Sequence, residues 1–130
     1  MADRSVPARR PKYLNLLRIR LPLPGIVSIM HRISGVFLIV VLPFAIYVLD
    51  VALTSEEGYA AVAAAFAHPL AQLATFTCLW ALYHHLCAGI RFLLIEMHVG
   101  VELAAARASA AAAVAAGFLL AVAHSGALFL

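Results

Sequence analysis

Two adjacent histidines, His84 and His85, stand in the stretch LWALYHHLCAGIRFLLIE (79–96), which is otherwise apolar as far as Arg91. An imidazole among apolar groups needs a partner for each ring nitrogen, because an unmatched polar atom away from water is costly. On a helix, His85 shares a stripe with Gly89, Phe92 and Glu96, and His84 falls on the next stripe with Ala88 and Arg91. Gly89, one turn from His85, removes the side chain where a flat, bulky group would press on the backbone. Imidazole is an axial ligand of haem iron, so this spacing suits a haem lying against the helix. It equally suits two histidines hydrogen-bonded to neighbouring helices.

A second constellation is SIMHRISG (28–35). Ser28 and Arg32 are four residues apart and share a helix face, Gly35 continues that stripe, and His31 points to the neighbouring face. A hydroxyl and a guanidinium one turn apart can hold a carbonyl or a carboxylate. The plainer reading is that Arg32 extends its charge to a headgroup layer.

The elements that carry these residues follow from composition. Of the 130 residues, 65% are hydrophobic and 12% charged, against about 25% charged in a soluble domain. A chain this short cannot bury so much apolar surface in a core of its own, so a bilayer is its natural solvent. The expected fold is all-α and membrane-integral, with three helices of about 20 apolar residues each. The first spans 28–49 and includes Pro43, which a membrane helix tolerates as a kink. The second spans 69–95, with the His68-Pro69 pair as its break and proline in its first turn. The third spans 108–129, where alanine and glycine dominate the first half and let another backbone approach. The chain thus divides into a basic N-terminal segment, 1–27, and a three-helix membrane domain, 28–130. Cys78 and Cys87 read as small buried hydrophobes, since their spacing fits neither a disulfide framework nor a CxxC metal site.

Six of the nine Lys and Arg residues precede residue 21: Arg4, Arg9, Arg10, Lys12, Arg18 and Arg20. The positive-inside rule therefore puts the N-terminus on the cytoplasmic or matrix side. The basic tail reads as a topology signal in contact with lipid, with no role in nucleic-acid binding. It is too long for the polar part of a signal peptide and is followed by three spans. With this orientation Arg91 and Glu96 lie at the inner end of the second span, and His85 is about 9 Å deeper than Arg91. Ser28 and Arg32 are also near the inner surface, so the embedded polar residues gather in the inner half. His124 is expected near the outer surface, too far along the third span to meet His85, and His68 and His98 are expected at the interfaces. Without a well-placed second histidine, a six-coordinate haem would take its other ligand from a partner chain.

SIMHRISGV, followed some fifty residues later by HHLCAGIRFLLIE, resembles the cytochrome b membrane-anchor subunits of succinate dehydrogenase (succinate:quinone oxidoreductase, complex II). The approach RPKYLNLLRIRLPLPGIV also resembles that family, so the likeness covers Arg10 to Glu96. The resemblance implies one haem b shared with a second anchor subunit that completes the helical bundle. It makes His85, four residues before the Gly of GIR, the axial iron ligand, with His84 as the alternative if the register shifts by one. Ser28 and Arg32 would border a quinone site, and His31 and Arg32 would lie near the haem propionates. Phe92 stands where the family usually has His, and Glu96 where it often has Asp. The implied role is electron transfer to quinone, with succinate oxidised by a flavoprotein and an iron-sulfur subunit. Alternatives are a quinol:fumarate reductase anchor, or a structural membrane subunit without haem. A bacterial inner membrane is the expected location, and a mitochondrial inner membrane would use the same geometry.

Overall fold

A computed structural model of the chain describes residues 20–129, and among these the regular elements are all helical: α1 (Leu23–Thr54), α2 (Glu56–Phe66), α3 (Pro69–Glu96) and α4 (Leu103–Phe129). Most of the basic N-terminal segment, 1–19, lies outside the described residues. Three of the helices, α1, α3 and α4, are long and apolar enough to cross a membrane.

Each boundary has a local cause. Proline sits in the first turn of α1, where a missing N–H costs no hydrogen bond, so the helix starts at Leu23 and not at Ser28. It then runs unbroken through Pro43 to Thr54. The helix α3 starts at Pro69, with His68 as its cap: His68 Nδ1 accepts from the Leu70 amide at 3.2 Å. The turn after α3 places His98 and Gly100 in left-handed backbone, at φ 61° and 73°. His98 and His68 are both exposed at helix ends.

The short helix α2 was not anticipated. Its signals are in the sequence: Ser55 Oγ accepts from the Gly58 amide at 3.0 Å, and Glu56 and Glu57 occupy the first turn, where carboxylates favour the helix dipole. It continues a polar-to-apolar stretch that reads as loop when only full-length spans are sought.

The tightest packing joins α3 to α4. Ala110, Ala113, Gly117 and Ala121 form a buried stripe on α4 that faces the buried His84, Ala88 and Arg91 of α3. A side chain at Gly117 would meet His84 Cα at 2.8 Å, so only glycine permits this approach. Below it, Val27, Ala88 and Ala110 make the core where all three long helices meet, with Phe92 and Val114 against them. By contrast, the 18-residue apolar window of α1 is 0% buried, with Ile33, Val36, Ile39 and Val40 facing outward. Gly117→Leu should push α3 and α4 apart at a backbone contact and cost about 1–3 kcal/mol. Its check is the thermal unfolding midpoint of the detergent-solubilised protein, expected to fall by several degrees relative to Ala111→Leu at an exposed position of the same helix.

Candidate functional site

Where α1 crosses α3, the two sequence constellations meet. The His85 ring stacks on the His31 ring, with centroids 4.0 Å apart and planes 8° from parallel. Phe92 meets His31 edge-on at 5.1 Å. The ring of His85 lies over Gly35, where a Cβ would come within 2.8 Å of its Cε1. Two glycines, one on each helix, therefore open the crossing to a pair of rings. The flat group against Gly89 is the His31 imidazole, whose Nε2 would lie 3.4 Å from a Cβ there. Within the described chain this stacking, which spacing on one helix did not reveal, accounts for Gly89.

His85 is held through one nitrogen. Its Nδ1 lies 3.0 Å from the His31 carbonyl oxygen and 3.2 Å from Ser34 Oγ. A carbonyl only accepts, so Nδ1 carries the proton. The Ser34 hydroxyl donates its own proton to the same carbonyl at 2.9 Å, which leaves its oxygen to accept from Nδ1. A neutral imidazole with Nδ1 protonated has its lone pair on Nε2. This is the arrangement by which a backbone carbonyl orients a metal-ligating histidine. Ser34 is a site residue that the sequence reading passed over, although it stands one turn after His31 in the quoted motif.

His84 faces the other way. It is 2% exposed, with its backbone against Gly117 of α4, and among the described residues no group hydrogen-bonds either ring nitrogen. It lines a cleft of about 240 Å³ with Ser34, Phe37, Thr77 and Trp80. The adjacent histidines thus divide between two environments: His84 lies inside the three-helix packing, whereas His85 is half-buried at the α1–α3 crossing. His31 and His85 are side by side, so they cannot bind one iron from opposite faces. Among the described residues no group of three or more His, Cys, Asp or Glu side chains is placed to hold a metal ion.

The other predicted residues separate into a pair and two outliers. Arg32 donates from an Nη to Ser28 Oγ at 3.1 Å, so the hydroxyl and guanidinium act together on an accessible face beside His31. Glu96 ends α3 and is exposed. His124 does not join His85; its Nδ1 pairs with the Tyr83 hydroxyl at 2.6 Å.

Residues 7–124 match the family model described as succinate dehydrogenase/fumarate reductase transmembrane subunit. The chain belongs to this family. Members of the transmembrane subunit family set the scale of the likeness. The chain is 34% identical over 113 residues to the succinate dehydrogenase cytochrome b556 subunit of Paracoccus denitrificans, covering 87% of each chain. It is 36% identical over 91 residues to the subunit of the same name from Coxiella burnetii, covering 69% of this chain and 73% of the other. The four-helix architecture with three apolar helices is thus that of a transmembrane subunit of a respiratory oxidoreductase.

Proposed function

We propose that this transmembrane subunit anchors a succinate:quinone oxidoreductase in a bacterial inner membrane, carries haem b on His85, and forms part of the quinone-reduction site with Ser28 and Arg32. Flavoprotein and iron-sulfur subunits would oxidise succinate on the cytoplasmic side, where the N-terminus lies. A second anchor subunit would give the other axial ligand. The cytochrome b556 names of the two relatives favour the succinate direction over fumarate reduction.

The observation that carries the reading is the pair of contacts at His85 Nδ1. The protein engages Nδ1 twice and leaves the Nε2 lone pair available, which is what haem iron requires of an imidazole. The residues fit the group in a second respect: Gly35 clears the seat of the ring. Bound haem would supply a one-electron store beside the quinone pocket. The chain's own residues do the rest. The His31 carbonyl and Ser34 fix the His85 ring, and His31 braces it by stacking. Arg32, steadied by Ser28, donates to a quinone carbonyl oxygen and stabilises the negative charge that grows there on reduction. That stabilisation is strengthened by low-dielectric surroundings. Delivery of two protons then completes the quinol.

A reduced-minus-oxidised absorption spectrum of the purified complex tests the proposal. Sharp low-spin b-type bands are expected, and an intact, active complex without them would leave both histidines structural. Gly35→Val should lower haem content at least tenfold, because its side chain would displace the His85 ring. Gly89→Ala, with 3.4 Å of clearance to a ring edge, should lose far less. Equal losses would mean that the seat over Gly35 does not position the ligand.

A further inference from the structure

Arg91 lies within the membrane-spanning helix α3, and it is 5% exposed. Its Nε donates to Ser109 Oγ at 3.0 Å and an Nη donates to the Ala106 carbonyl at 3.2 Å. Both acceptors are neutral, so these bonds orient the guanidinium without compensating its charge. A guanidinium has five N–H donors, and two of them are used by these contacts. The guanidinium also lies 5.5 Å from the Phe92 ring centroid, a weak cation–π contact that carries no negative charge, and a cation at membrane depth is expensive unless an anion or water meets it.

The same side chain lines a groove of about 420 Å³ between α3 and α4. At the loop end the groove is bounded by Val99, Gly100 and Ala105, and at the far end by Cys87 and Ala116. The wall between them is formed by Ile90, Leu94 and Ala112. From Ala105 to Ala116 it follows α4 for about 16 Å at 1.5 Å per residue. Arg91 is the one charged residue in the groove lining and stands near the end of the spans, and a long apolar trough leads from it toward mid-membrane. That is the distribution of polarity in a phospholipid with an anionic headgroup. A carboxylate from a partner helix would meet the cation but would not account for the trough beyond it.

We propose that the α3–α4 groove binds one anionic phospholipid, with its phosphate on Arg91 and one acyl chain along Leu94, Ile90 and Ala112. The lipid would neutralise the buried cation and seal the small-residue seam of α4 from outside. Phosphate is a better match than a point acceptor, because guanidinium presents paired donors to paired oxygens.

The test uses the full chain purified from membranes together with its bound subunits and exchanged into nanodiscs. One set contains phosphatidylcholine alone and the other phosphatidylcholine with phosphatidylglycerol. Native mass spectrometry should find one phosphatidylglycerol retained per chain in the mixed discs. Arg91→Gln should lower that occupancy at least tenfold, and Arg91→Lys should retain part of it. Because Arg91 also joins α3 to α4, Ala112→Phe is the second variant. It fills the trough from an exposed position, keeps the Arg91 bonds, and should also lose the lipid. Arg32→Gln, at the cation beside the α1–α3 crossing, should keep it. Equal retention of phosphatidylcholine would overturn the proposal, as would an unchanged occupancy in Ala112→Phe. Displacement of the lipid by millimolar inorganic phosphate, or a groove found filled by a partner helix with no lipid retained, would overturn it too.

Discussion

His85→Ala is expected to abolish the b-type absorption bands of the purified complex, whereas His84→Ala keeps them. The two residues are neighbours in sequence and identical in chemistry, so the contrast tests geometry alone. His85 has its Nδ1 tied to the His31 carbonyl at a half-buried crossing, and the proposal gives its other nitrogen to the haem iron. His84 is enclosed against α4, and among the described residues its ring nitrogens have no hydrogen-bond partner. Truncating it removes a costly buried polar group and leaves a cavity, effects of opposite sign and each on the order of 1–3 kcal/mol. Complex stability should therefore change little. Ser34→Ala should be intermediate, since the carbonyl still holds Nδ1. It should keep the haem while shifting the band positions or the midpoint potential. Loss of the bands in His84→Ala, with retention in His85→Ala, would move the ligand by one residue and invalidate the orientation described above.

Arg32→Leu is the second large effect. Succinate-dependent quinone reduction should fall about a hundredfold, the scale for losing a donor to a developing oxyanion. Succinate oxidation with a soluble artificial acceptor, which bypasses the membrane site, should stay within twofold of the unmodified complex. Ser28→Ala should lower quinone reduction by about tenfold, because Arg32 loses the 3.1 Å bond that steadies it but retains its charge. A parallel loss in both assays would mean that Arg32 supports assembly, and the quinone assignment would fail. If instead Arg32 only reached the headgroup layer, neither assay would move.

Much of this was legible in the sequence. An apolar content of 65% in 130 residues forces a membrane solution because no core of that size can absorb it. The only backbone arrangement suited to three such segments is helical. Pro69 marked the start of α3, and the alanine and glycine content of the third span marked it as a close-packing surface. The paired motifs around His31 and His85 led to the family that the comparisons then established. The helix α2 was missed because an 11-residue helix is too short to register as a span, even though Ser55, Glu56 and Glu57 announce its start.

What the sequence determined, then, was solvent, the number of membrane-spanning helices and the identity of the polar residues, since these depend on composition and on spacing along one helix. The tertiary structure decided which way each helix is turned. His84 and His85 differ by about 100° around α3, and nothing within α3 says which of them faces inward. The decision belongs to Gly117 on α4, which brings its backbone against His84 and so turns His85 toward α1. There the His31 carbonyl and Ser34 select its tautomer. Gly89 was legible as an open place against a flat group, but only the crossing with α1 identified that group as the His31 ring. Contacts of this kind join residues on different helices, far apart in the chain, and they depend on the rotation of rigid helices against one another, which no local pattern encodes.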